Sequence, residues 1–195
     1  MFFILTIIIS VILIIAVDTL IFGFSTLLSF AIAVVVTTVS VIAVDGLFAT
    51  IVRWIMPKKW FSIDKKNFIA SKKESLFYEK IGIKKWKDLI IELGFFTNFR
   101  KNKIAEPNNN QYVERYIVEA NYGIAVHLSC MLFGFLVVLI YPSLYLSVGI
   151  PVCLVNLVLN FMPVACLRYN LTKLHKIYRI NEKRAKMNAS KTNNN

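Results

Sequence analysis

Residues 1–52 and 116–167 contain no Lys and no Arg, although the 195-residue chain carries 23 of them. Fifteen of these cations lie between Arg53 and Arg115, and the other eight between Arg168 and Lys191. Charged side chains are costly in hydrocarbon, so two long cation-free windows constrain this chain more than any motif does. Within the first window, Phe2 to Phe22 and Leu27 to Val52 are apolar runs separated only by Gly23-Phe24-Ser25-Thr26. Gly123 to Tyr141 and Ser143 to Leu167 form a second pair around Pro142. A helix crosses a hydrocarbon core in about 20 residues. The windows therefore predict an all-α integral membrane protein with four transmembrane helices in two tight hairpins.

Lys and Arg close to span ends stay on the cytoplasmic side. Both basic blocks and both termini are thus expected in the cytoplasm, in a multi-pass protein of the cell membrane. Each basic block is net +7, counting the first as far as Glu119, and such surfaces suit anionic lipid headgroups. Nucleic-acid binding would leave the cation-free windows unexplained. A signal peptide is disfavoured by the lack of a basic leading region and of a small-x-small cleavage site. The expected organisation is a first hairpin (1–52), a cytoplasmic interfacial region (53–110), a long helix with the second hairpin (111–167) and a basic tail (168–195). Cys130, Cys153 and Cys166 fall inside spans without metal-ligand spacing and read as packing residues; no cofactor is expected.

The central block mixes lysines with aromatic residues, among them Trp60, Phe61, Phe77 and Trp86. Ser71-Lys72-Lys73-Glu74 has capping-box spacing and predicts a helix to about Lys80, ended by Gly82. Trp86, Leu89, Ile90 and Leu93 continue at helical spacing. Amphipathic interfacial helices are expected here, with a small subdomain packed on its own core as the alternative. Pro107 to Asn110 predicts a turn and helix cap, followed by one helix running from Gln111 into the third span. The tail from Asn170 predicts a basic amphipathic helix that frays after Ala185.

Polar residues inside spans are candidates for function. Asp45 precedes Arg53 by about two turns and would either pack against an Arg, Asn or His or join a site. Asp18, near the outer end of the first span, reads as structural. Glu119 precedes His127 by eight residues, about 80° around and about 12 Å along a helix, so the two could flank a groove without touching. Asn156 and Asn160 share a helix face, with Arg168 two turns beyond Asn160. Asp45, Glu119, His127, Asn160 and Arg168 all fall within about 15 Å of the cytoplasmic boundary by rise per residue. A His as general base, with a carboxylate to orient it and Asn and Arg donors to hold an oxygen, suits acyl transfer between lipids. No nucleophile elbow, Walker loop, dinucleotide glycine motif or zinc-protease motif is present.

Phe77-Tyr78-Glu79-Lys80 leading to Ile83-Lys84-Lys85-Trp86-Lys87-Asp88, then Glu119 with His127, then Asn160 with Arg168-Tyr169-Asn170, resembles the glycosyl-4,4'-diaponeurosporenoate acyltransferase family. The resemblance covers about Phe77 to Arg179 and departs from the family pattern at Gly123-Ile124, Leu128, Leu171 and Lys173. It implies a membrane acyltransferase that places a fatty acyl chain on the sugar of a glycosylated carotenoid acid. His127 would be the base and Glu119 its orienter. Asn160 and Arg168 would bind a carbonyl oxygen or anionic head, with Tyr169 and Asn170 in the same substrate-binding set; Asp45, outside the resemblance, joins that set by its depth. Lys85, Trp86 and Lys87 would hold the acyl donor or headgroups. The implied partners are membrane lipids, an acyl donor and a lipid-linked acceptor. The competing class is a non-enzymatic lipid-binding scaffold or complex subunit. A transporter subunit using Asp18 and Asp45 would require homo-oligomerisation.

Overall fold

The computed structural model describes residues 2–87, 90, 104 and 106–192, and every regular element among them is helical. The α-helices are α1 (Phe2–Phe22), α2 (Leu27–Thr50), α3 (Lys72–Lys80), α4 (Ile83–Trp86), α5 (Asn110–Phe133) and α6 (Ile150–Thr192). Four helical stretches are long and apolar enough to cross a membrane: Phe2–Phe22, Phe24–Ile55, Asn110–Leu139 and Pro142–Asn188. The described chain divides into two compact units. One comprises residues 2–56, 90 and 125–164; the other 57–87, 104, 106–124 and 165–192.

In the first unit, α1 and α2 form the expected hairpin. Gly23 makes the turn at φ 95°, a left-handed conformation that disfavours other residues, and its N–H donates to the Thr19 carbonyl at 2.9 Å. Phe30, Ala33, Val34 and Val41 of α2 pack with Val137, Val148, Val152 and Cys153. The outward faces are apolar as well: Leu20 is 84% exposed and Leu28 72%. Lipid chains are the solvent such faces suit. The third apolar stretch is not one regular α-helix, because α5 ends at Phe133 and tightens into a 3-10 segment, Gly134–Leu139. A Cβ on Gly134 would overlap the Asn156 amide nitrogen, so the bare backbone at that point makes room for a buried polar side chain.

The second unit encloses its own core, as in the alternative weighed against isolated interfacial helices. Phe61, Tyr78, Ile83, Ile117, Leu171 and Leu174 are all buried. The central block reaches this by packing with parts of α5 and α6, which supply area that about 65 residues would not provide alone. Phe61 stacks on Tyr122 with ring centroids 4.0 Å apart, and the buried Asn121 amide donates to the Phe61 and Ser62 carbonyls at 3.0 and 3.3 Å. Trp60 and Phe77 remain half exposed.

The capping box forms as its spacing predicts: the Glu74 N–H donates to Ser71 Oγ at 3.2 Å and the Ser71 N–H to Glu74 Oε2 at 3.4 Å. Gly82 then turns the chain at φ 76°. α4 is a single turn, and the expected continuation through Leu89 and Leu93 lies outside the described residues. Asn109 caps α5, its Oδ1 accepting from the Tyr112 N–H at 3.2 Å. The tail differs from the expected separate, early-fraying helix: α6 runs unbroken to Thr192. No Gly or Pro follows Pro163 within it, and the buried Asn181 amide ties it to the Pro107 carbonyl at 2.7 Å.

Candidate functional site

In the first unit, side chains from α2, α5 and α6 meet in a polar cluster. Asn156 and Asn160 stand one turn apart on α6 and are both buried, at 7% exposure. The Asn160 amide nitrogen donates to Asp45 Oδ2 at 3.0 Å, to Asn156 Oδ1 at 2.9 Å and to the Asn156 carbonyl at 3.1 Å. Three acceptors around one nitrogen fix the orientation of the amide. The Asn160 oxygen therefore faces His127 Nδ1, 2.8 Å away. Since an amide oxygen only accepts, Nδ1 carries a proton, which places the lone pair of an uncharged imidazole on Nε2. Asn156 Nδ2 adds a bond to Asp45 Oδ1 at 3.3 Å and another to the Cys130 carbonyl at 3.4 Å. The Asp45 carboxylate thus holds two amides and forms no ion pair among the described residues. Carboxylate, amide and imidazole form a continuous hydrogen-bonded chain.

The second unit carries a different polar arrangement, built on charge. The Arg168 guanidinium meets Glu74 side-on, Nε to Oε1 at 2.5 Å and Nη2 to Oε2 at 2.8 Å. Its remaining donors reach the Asn67 carbonyl at 2.8 Å and the Ile69 carbonyl at 3.4 Å. The Tyr78 hydroxyl donates to Glu74 Oε1 as well. Arg168 outweighs burial and holds the Glu74 carboxyl down at about 2, while burial and the adjacent carboxylate push the Tyr78 hydroxyl well above its ordinary range. One turn away, the Tyr169 hydroxyl donates to Glu79 Oε1 at 2.8 Å, and Lys84 pairs with the same oxygen at 2.8 Å. Lys84 and Tyr169 lower the Glu79 pKa.

Of the residues singled out in the sequence, the structure joins Asp45, His127 and Asn160. Asn160 meets His127 at Nδ1, and Glu119, expected to orient His127 without touching it, belongs to the second unit. Arg168, expected to hold a substrate oxygen, instead has four bonds within the protein. Tyr169 is likewise engaged, the Asn170 amide leans on Cys166 Sγ at 3.6 Å, and the Trp86 indole N–H donates to the Ile81 carbonyl at 3.0 Å. Lys85 is exposed and Lys87 half-buried. Asp18 lies apart, buried, with one carboxylate oxygen lacking a partner among the described residues. Asn156, Glu74 and Tyr78 were not singled out for the site. The spacing of Asn156 four residues before Asn160 and of Glu74 four before Tyr78 was the available signal.

A family model for glycosyl-4,4'-diaponeurosporenoate acyltransferase matches residues 57–180, more than half of the chain. The chain belongs to that family. No curated protein and no solved structure matches it. The part matched to the acyltransferase family contains His127, Asn156, Asn160 and the Glu74–Arg168 pair, whereas Asp45 comes from the hairpin that precedes it.

Proposed function

We propose that the protein is a membrane acyltransferase which moves a fatty acyl group onto a hydroxyl of a glycosylated or isoprenoid-type lipid at the cytoplasmic leaflet. The observation that carries this reading is the His127–Asn160–Asp45 chain, found in a member of this family and aimed so that Nε2 is the basic nitrogen. In the proposed reaction, Nε2 takes the proton of the acceptor hydroxyl as its oxygen attacks the acyl carbonyl carbon. The bond from that carbon to the donor's leaving group breaks, an ester forms, and the leaving group takes the proton back from Nε2. Asn160 holds the Nδ1 tautomer throughout and Asp45 holds Asn160. A positioned base of this kind contributes about 10²–10⁴-fold.

Arg168 supports the fold rather than the reaction in this reading, since its donors are engaged by Glu74 and two carbonyls. Lys85 and Lys87 are the proposed contacts for an anionic part of the donor, with the Trp86 ring offering an apolar face. The test is mass spectrometry of lipids from cells that make a glycosylated carotenoid acid, with and without the protein. The expected result is an acylated form that requires the protein; identical lipid profiles would remove the proposal.

A further inference from the structure

Past Arg168, α6 forms one wall of a groove of about 370 Å³ in the second unit. Thr172, His175, Lys176, Arg179, Ile180 and Lys183 line it from α6, and Ile69 lines it from the segment before α3. At 100° per residue, positions 172, 176, 179 and 183 fall within about 60° of one another, so a hydroxyl and three cations share one stripe. Lys176, Arg179 and Lys183 follow one another at intervals of three and four residues, where like charges repel. No carboxylate lines the groove, and among the described residues these three cations form no ion pair. Glu182 is their neighbour in sequence but does not line the groove. The half-buried His175 ring forms part of the wall between them. The groove concentrates positive charge between apolar surfaces without supplying the anion that would balance it.

We propose that this groove binds a phosphate group carried beside an apolar moiety, with Arg179 as the fork and Lys176 and Lys183 flanking it. A guanidinium grips two phosphate oxygens at once, and ammonium groups on either side add charge without fixing direction. The volume falls within the range of about 300–1,000 Å³ usual for small-molecule sites and exceeds what a bare phosphate needs. Ile69 and Ile180 account for the difference by accommodating the part of the ligand next to the phosphate. An anionic phospholipid headgroup and a soluble phosphate ester both present this chemistry. The site stands apart from the acyl-transfer reading, because binding can be measured without turnover.

The experiment titrates the detergent-purified full chain with coenzyme A, a soluble phosphate ester, and separately with short-chain phosphatidic acid, reading the dissociation constant. A groove variant, Lys176→Gln with Arg179→Gln and Lys183→Gln, is compared with a control, Lys65→Gln with Lys66→Gln and Lys72→Gln, which removes the same charge elsewhere in the unit. The expected result is binding by wild type and control, with the dissociation constant raised at least tenfold in the groove variant. Arg179→Lys alone, which keeps the charge and loses the fork, should weaken binding severalfold. Binding of coenzyme A alone identifies a soluble ester, of phosphatidic acid alone a headgroup, and either or both support the site. Absence of binding to both ligands, or a weakening no greater in the groove variant than in the control, overturns it.

Discussion

The two units each hold a half-buried carboxylate against a polar partner from α6, and they use it in opposite ways. In the second unit Glu74 meets a full cation: Arg168, Tyr78, Ser71 and two carbonyls close the network, and every group in it is held by another group of the protein. In the first unit the Asp45 carboxylate accepts from two amides, and the chain of bonds continues through Asn160 to the His127 imidazole. An ion pair with satisfied donors stores its interaction energy in stability. A carboxylate–amide–imidazole chain directs a lone pair instead. The contacts of Arg168 and Tyr169 in the Arg-Tyr-Asn sequence tie elements of the fold together, while Asn160 joins a carboxylate to the His127 ring that is proposed to carry the chemistry.

Substitutions that break this contrast are ordered by expected effect. His127→Ala should lower acyl transfer by about 10²–10⁴-fold with little change in Tm, measured with a labelled donor in isolated membranes. Asn160→Leu, which removes the acceptor of Nδ1–H, should cost on the order of a hundredfold in kcat. It should also shift the pH profile, as either tautomer becomes available. Arg168→Met should do the reverse, destabilising the fold by about 2 kcal/mol, read as a drop in Tm, while activity below the transition persists.

Gly134→Ala sharpens the comparison at the first unit's weak point. The new methyl must displace the Asn156 amide, so a loss of about 1 kcal/mol should accompany a severalfold fall in rate. The smallest effect is the acid response of the second unit. Glu74 lies at about 2 in the fold against an ordinary 4.5, so its stabilisation is complete above 4.5 and is lost as pH falls from there towards 2. Tm should decline over that window in wild type and decline less in Glu74→Gln.

What could be read in the sequence follows from how local each signal is. Apolar runs, the Ser71–Glu74 capping box and the turns at Gly23 and Gly82 are local in sequence, and each formed where expected. Asp45 as a packing partner of an Arg, Asn or His is legible because a carboxylate among apolar side chains must find a donor. Which donor was not legible: Asn160 lies 115 residues from Asp45, and 33 from His127. The same limit hides the Glu74–Arg168 pair, 94 residues apart. The tightening at Gly134 also depends on a distant side chain, that of Asn156.

The central claim is that His127 carries the chemistry and Arg168 the architecture. Its most direct test compares initial rates of labelled acyl transfer in membranes holding equal amounts of wild type, His127→Ala and Arg168→Lys. The account predicts a rate at least a hundredfold down for His127→Ala and within a fewfold of wild type for Arg168→Lys. Transfer by His127→Ala at the wild-type rate would contradict it.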